Sequence, residues 1–214
     1  LSIGNNNHKV ALILFDIDNF KAINDLYGHN SADELLVELS KRINDILHGH
    51  KMFSRIHGDE FGILFSEIKN TYSLSLLAKQ IIDSSKDLRL NNSVVNLSVS
   101  VGVAINSEGV NDHKELIKSA NIALYRAKEE RGSHFCFFYP HMKKQLLRRY
   151  EIEKKLANAV KSEELLLLYQ PIINLKSKEV IGFEALVRFN NNLTLQSYPD
   201  EFVPIAEETG AILD

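Results

Sequence analysis

Two apolar runs, Met52-Phe53 and Phe61-Gly62-Ile63-Leu64-Phe65, flank the stretch Arg55-Ile56-His57-Gly58-Asp59-Glu60. Strand-length runs on either side of a Gly-containing turn predict a β-hairpin. A hairpin in turn commits the sheet to antiparallel pairing. The tip carries two adjacent carboxylates, Asp59 and Glu60. Neighbouring acids repel unless something neutralises them, and a divalent cation is the usual partner. A solvated acidic turn is the plainer alternative.

Upstream, Val10 to Phe15 is almost unbroken apolar sequence ending in Asp16-Ile17-Asp18, the mark of a central strand covered on both faces. Phe20 to Tyr27 predicts a short helix closed by Gly28. Ser31 with Glu34 three residues on reads as a capping box. Leu35, Leu36, Leu39, Ile43, Ile46 and Leu47 follow it at helical spacing. A further helix is predicted from Thr71 to Leu88, with Leu74, Leu77, Ile81 and Ile82 inward. Val95, Leu97, Val99, Val101, Val103 and Ile105 alternate with Asn96, Ser98, Ser100, Gly102 and Ala104, which predicts one strand with one buried face. Asp112 with Glu115 opens a helix that buries Leu116, Ala120, Ala123, Leu124 and Ala127, and Phe135 to Phe138 predicts a last strand before Pro140. The order β-α-α-β-β-α-β-α-β mixes hairpins with crossover helices. It predicts an α+β fold of ferredoxin-like character, a central mixed antiparallel sheet flanked by helices.

The texture changes after Pro140. Met142 to Ser162 is charged and helical, with Leu146, Tyr150, Leu156 and Val160 as a narrow stripe. Strands are expected at Leu165 to Gln170 and Val180 to Phe189, and a helix from Pro199 to Thr209 stopped by Gly210. The chain therefore divides into a first domain at 1–140, a linker helix at 141–162 and the start of a second domain at 163–214. A net charge of −3 over 214 residues gives no field for nucleic acid, so any phosphate site is local. The single cysteine, Cys136, excludes an internal disulfide and reads as a small buried hydrophobe. No apolar run approaches the roughly 20 residues of a membrane helix, and no signal peptide is evident. A cytoplasmic chain is expected, with a membrane anchor elsewhere in the parent protein left open.

If the hairpin lies beside the first strand, Asp16, Asp59 and Glu60 converge on one edge of the sheet. Acids held there by rigid strands suit Mg²⁺ or Mn²⁺ carrying a nucleotide phosphate. Helix capping before Phe20 is the alternative role for Asp16 and Asp18.

The run from Phe15 to His29, Asp33 with Leu35-Leu36, Arg55 to Phe61, and Ala120-Asn121-Ile122-Ala123-Leu124-Tyr125-Arg126-Ala127-Lys128 together resemble the GGDEF family of diguanylate cyclases. The blocks stand in order at family spacing. The resemblance implies a nucleotidyl-cyclase palm that binds GTP with two divalent ions. Two such domains meet face to face, and each GTP 3′-hydroxyl attacks the α-phosphate of the other, yielding cyclic di-GMP and pyrophosphate. Carried onto this chain, it implies Asp16, Asp59, Glu60 and the Ile17 carbonyl as metal ligands, with Asp59 and Glu60 the catalytic acids. It implies Asn24 and Asp33 on the guanine edge, and the Phe20 and Lys21 amides with the Lys128 ammonium on the phosphates. The family's opening segment is absent, so the chain looks cut at its N-terminus.

Several positions depart from the pattern. His57 replaces the first glycine of the signature, and its imidazole is expected where substrate and partner approach. His tolerates positive φ better than most residues. The family's phosphate-facing Arg becomes Gly132, with Arg131 next to it. The inhibitory product site would need an Arg and an Asp where His48 and Lys51 stand. A metal site from His48, His50 and His57 is a weak reading of the same loop.

Tyr169-Gln170-Pro171-Ile172, Gly182 to Phe189 and Phe202 to Gly210 resemble the start of an EAL domain, a family of (β/α)₈ barrels that hydrolyse cyclic di-GMP with metals. The resemblance implies Gln170 and Arg188 on the dinucleotide and Glu184 as a metal ligand, in an incomplete barrel fragment that cannot hydrolyse on its own. Three readings follow: a regulatory or weakly active GTP-binding domain in a GGDEF–EAL parent, an active cyclase, and a non-catalytic interaction or dimerisation module. A homodimer is expected, through the GGDEF face or through the parent protein.

Overall fold

The computed structural model describes residues 9–47, 51–66, 68, 70–90, 93–106, 112–130, 132–162, 164–190 and 198–213. The chain forms two compact units, Leu1–Lys143 and Lys144–Asp214. The first is built from β1 (Ala11–Ile17), α1 (Phe20–Tyr27), α2 (His29–Ile46), β2 (Lys51–His57), β3 (Glu60–Phe65), α3 (Thr71–Ser84), β4 (Leu88–Leu90), β5 (Ser93–Val95), β6 (Val99–Ile105), α4 (His113–Glu129) and β7 (Phe135–Phe137). Five strands make one sheet in the order β2-β3-β1-β6-β7. All pairs are antiparallel except β6–β7, which α4 joins as a parallel crossover.

β1 is bonded on both sides and covered on both faces. Ile13, Phe15 and Ile17 enter the main core, which also takes Leu35, Leu39 and Ile43 of α2 and Leu74, Leu77 and Ile81 of α3. Leu14 points the other way, with Leu116, Ala120 and Leu124 of α4. Phe15, Phe53 and Phe61 stack across β1, β3 and β2 with neighbouring ring centroids 5.1 and 5.8 Å apart. The stack locks the hairpin beside β1.

Four expectations are corrected. α2 begins at His29, directly after Gly28 at φ 81°, and its cap makes no side-chain hydrogen bond; Ser31 lies inside the helix. One glycine thus ends α1 and starts α2, and the local Ser/Glu pattern is overridden. α3 stops at Ser84, and Leu88 belongs to a small β4–β5 hairpin. Arg42 of α2 donates to the Lys86 and Asp87 carbonyls just past that helix. The stretch 95–105 is not one strand, because Asn96-Leu97-Ser98 separates β5 from β6. Nor is β6 one-faced: Val99 to Ala104 are all buried. Ser100, Gly102 and Ala104 are small because α4 packs on them. A Cβ on Gly102 would stand 2.3 Å from the Leu124 backbone nitrogen and 2.4 Å from the Ala120 oxygen, closer than real Cβ atoms come.

The second unit contains most of α5 (Pro140–Lys161), which runs into it from the first, and β8 (Leu165–Ile173), β9 (Val180–Phe189), α6 (Pro199–Thr209) and a 3₁₀ turn (Ala211–Leu213). Its core joins Ile152 and Leu156 to Phe202, Ile205 and Ala206. Of the stripe expected on α5, Leu156 is buried and Leu146 half-buried, while Tyr150 is exposed; Met142, Ile152 and Ala159 are also buried, and the Val160 side chain lies outside the described residues. Arg148 pairs with Glu201 at 2.7 Å, and Arg149 with Glu208. β8 and β9 pair antiparallel as a hairpin joined by six residues.

Candidate metal and nucleotide site

The site forms where β1 ends. Along β1, Leu12, Leu14 and Asp16 share the face toward α4, since side chains alternate. Asp16 stands in register with Glu60 on β3 and with Ser100 on β6. Two carboxylates directly opposite on one face repel. Lys128, in the last turn of α4, answers that charge with its Nζ 2.7 Å from Asp16 Oδ1. Burial pushes the Asp16 carboxyl up from its ordinary value, with Asp59 and Glu60 adding to the rise and the Lys128 hydrogen bond and charge opposing it. Asp16 and Glu60 thus meet at the end of β1, with Asp59 next to Glu60 at the hairpin tip.

The turn itself differs from expectation at one residue. The positive φ lies at Gly58, 52°, and His57 is not among the residues of positive φ. Replacing the first signature glycine by His therefore costs no backbone strain. Arg55 Nε donates to the Gly58 carbonyl at 2.6 Å and braces the tip. The His57 imidazole is largely exposed, and its Nε2 stands 3.2 Å from Glu60 Oε2. The ring thus contacts Glu60 itself, one of the acids expected to hold the metal.

Asp16, Asp59 and Glu60 offer hard carboxylate oxygens, the donors that Mg²⁺ and Mn²⁺ take. As a donor set they fit a divalent cation, which would replace Lys128 as the partner of Asp16. In this conformation Lys128 holds Asp16 and His57 faces Glu60, and among the described residues no three His, Cys, Asp or Glu side chains stand at metal-holding geometry. The Ile17 residue is fully buried within the β1–β6 ladder.

Beside the acids lies a pocket of about 620 Å³ lined by Asp18, Asn19, Ser98, Lys128, Glu130 and Gly132. α1 starts at its rim after Asn19, which is left-handed at φ 54° and makes no side-chain cap. The first helical amides, Phe20 and Lys21, have no acceptor within the helix. Gly132, at φ 90°, stands in the wall where the family's Arg is missing; Arg131 lies outside the described residues, as do His48 and His50, and the Lys51 side chain is likewise not described. Asp18 does not cap α1. Its carboxylate accepts from the Ser98 hydroxyl and, at 2.7 Å, from the Ser100 hydroxyl. The alternating Ser98 and Ser100 carried that signal in the sequence, unread.

The residues expected on the guanine edge lie further along. Asn24 Oδ1 is 3.1 Å from the His29 ring, and its amide donates to the Phe20 carbonyl; Asp33 is exposed on α2. His29 was not singled out by sequence reasoning. In the second unit, Gln170 and Glu184 are directly opposite across β8–β9. Arg188, four residues on, shares the Glu184 face, and its guanidinium donates to the Val187 carbonyl.

Comparison with known proteins bears on the family and the fold. Residues 2–134 match the family model described as the diguanylate cyclase GGDEF domain, and residues 153–214 match part of the EAL-domain model. The chain is 34% identical to the cyclic di-GMP phosphodiesterase PdeR of Escherichia coli over 97% of its own length and 31% of that protein's. It is 31% identical to the bifunctional diguanylate cyclase/cyclic di-GMP phosphodiesterase MucR of Pseudomonas aeruginosa, over 96% of this chain and 30% of MucR. The chain thus spans less than a third of the length of these curated relatives. Among solved structures, the GGDEF domain of YfiN from Pseudomonas aeruginosa superposes with a TM-score of 0.61 at 31% identity, covering 65% of this chain and 83% of that one. No helix among the described residues is long and apolar enough to cross a membrane. The chain belongs to the GGDEF family, in the group of GGDEF–EAL proteins of cyclic di-GMP signalling.

Proposed function

We propose that the first unit binds GTP together with Mg²⁺ or Mn²⁺ and serves chiefly as the regulatory, weakly cyclising part of a longer cytoplasmic protein whose EAL part hydrolyses cyclic di-GMP. The observation that carries this reading is the pairing at the turn. Asp16 and Glu60 are in register beside a pocket that holds Lys128, so the charge needed for a metal-bound triphosphate is assembled. Glu60, however, already faces His57. The bound cation would supply charge neutralisation at the phosphates. Asp16, Asp59 and Glu60 would hold it; Lys128, freed from Asp16, would turn to the phosphates; and the Phe20 and Lys21 amides would donate to them. Asn24 and Asp33 complement the guanine edge as an amide and a carboxylate. Cyclisation needs a second such domain to present the other GTP, so the active form would be a homodimer. In the second unit, Gln170 and Arg188 would contact cyclic di-GMP and Glu184 a metal, once the parent protein completes the barrel.

The in-register acids also support a second reading, an active cyclase. Incubation with GTP and Mg²⁺ followed by chromatography decides between them. Little cyclic di-GMP, with Mg²⁺-dependent GTP binding by calorimetry, is the expected result. Abundant cyclic di-GMP establishes the cyclase, and absence of GTP binding overturns both and leaves an interaction module. A gain of product in His57→Gly places the block at the turn, while no gain moves it to Gly132 or to dimerisation.

A further inference from the structure

Asp18 and Glu130 are the ionisable groups lining the pocket that the proposed chemistry does not use, and Glu130 faces His134. Asp18 sits two residues beyond Asp16, yet nothing about its contacts is that of a metal ligand. Its backbone N–H donates to the Ser98 carbonyl at 2.9 Å. Both carboxylate oxygens are taken, one by the Ser98 hydroxyl and one by the hydroxyl of Ser100, which is fully buried. Three hydrogen bonds thus tie one residue of the β1–α1 connection to Ser98, just before β6, and to Ser100 within it. Hydrogen bonds to a charged acceptor are roughly twice as strong as neutral ones, so this is the firmest tether on that connection.

The tether holds a conformation that is costly by itself. Asn19 follows in the left-handed region, and its carbonyl accepts from Ala22 N–H at 2.8 Å. This turn aims the start of α1 along the pocket that Lys128 also lines. The hydroxyl protons of Ser98 and Ser100 point at Asp18, so Ser98 has no proton left for an anion in the pocket. The Lys128 ammonium lines the pocket with Asn19. The Phe20 and Lys21 amides open α1 directly after Asn19, so the Asn19 turn sets where they stand relative to it.

We propose that Asp18, with Ser98 and Ser100, is a positioning device for the phosphates of the bound nucleotide: it touches no phosphate, and it fixes the turn that presents the Phe20 and Lys21 amides to them. The proposal rests on the reading of this unit as a GTP-binding domain. It carries a signature that general destabilisation would not: the defect grows with the number of phosphates on the ligand. It is also relieved by asparagine, which offers one oxygen to a serine hydroxyl and an amide to the other serine oxygen.

The test is calorimetry of the whole chain with Mg²⁺ and either GMP or a non-hydrolysable GTP analogue. Asp18→Ala is expected to weaken the triphosphate by at least about tenfold and GMP by less than about threefold, with Asp18→Asn recovering most of the loss. Amide spectra with ¹⁵N labelling provide the second readout: the triphosphate should shift the Phe20 and Lys21 resonances in the wild type and not in Asp18→Ala. If Asp18→Ala does not fold, Ser98→Ala, at the less buried of the two serines, takes its place with the same pattern. Equal losses for both ligands, or wild-type affinity in every variant, overturn the proposal while GTP binding stands. A wild-type chain that binds no triphosphate overturns the nucleotide reading and the positioning role with it.

Discussion

Asp16 faces Glu60 across β1 and β3, and Gln170 faces Glu184 across β8 and β9. Locally the two rows are alike: antiparallel strands, a motif residue on each, opposite one another. Their surroundings differ. The first row ends a strand bonded on both edges and roofed by α4, and burial drives the Asp16 carboxyl upward. The second lies on a two-stranded sheet where Gln170 and Glu184 are exposed, as are Leu168, Tyr169, Val180, Ile181 and Phe183 around them. Register alone brings functional side chains onto one face. Only the layers around the strand place them in a medium where a charge is worth several times its value in water.

The two glycines test this contrast most severely. Gly102→Ala puts a methyl against the α4 backbone, so it should destabilise the first unit by about 3 kcal/mol or more. Gly182→Ala on β9 meets nothing closer than 3.9 Å and should stay within about 0.5 kcal/mol. Urea titration reads both, and similar losses would deny the difference in packing. Next comes function. Glu60→Gln should lower metal-dependent GTP affinity by at least the roughly tenfold that loss of a ligand's supporting partner costs. Glu184→Gln should leave that affinity unchanged; a shared loss in calorimetry would mean that the nucleotide site does not lie at the turn.

A smaller effect concerns pH. The folded-state pKa of Asp16 is raised, so the folded chain holds that proton more tightly than the unfolded chain does. Stability therefore falls as pH rises from the ordinary carboxylate range through the raised value, and the penalty is fully present above it. Asp16→Asn removes the penalty and should raise the melting temperature by about 2–4 °C near neutral pH. The gain should shrink as the pH is lowered toward that range. A lower melting temperature for the variant would show that the Lys128 pair outweighs burial. The smallest change is expected at the hairpin surface, where Phe183→Ser should alter stability by less than about 0.5 kcal/mol. A larger loss by thermal unfolding would mean that the β8–β9 face is covered.

Features set by neighbours in sequence were legible. α1 runs from Phe20 to Tyr27 with Gly28 at its end, as read. Asp112 caps α4 by accepting from the Glu115 N–H, as read. The hairpin and its acids were also visible, because a period of two and a glycine turn are local signals. Ser31 misled, because a glycine three residues earlier can start a helix by its backbone alone. The alternation from Val95 to Ile105 misled because smallness was taken for exposure. Ser100, Gly102 and Ala104 are small to admit a helix, and only the position of α4 shows it. Asp18 was read as a possible helix cap because its partners, Ser98 and Ser100, lie about eighty residues away.

The amino-acid sequence by itself determined most of the elements, the α+β class, the GGDEF and EAL blocks and the identity of the acids, since each rests on spacing or on residue type. Tertiary structure alone decided which acids are paired and with what. It set Lys128 on Asp16, His57 on Glu60 and two serines on Asp18. The physical reason is that these contacts join residues distant in the chain or turned by a bend. Their strength depends on burial, which no stretch of sequence carries alone.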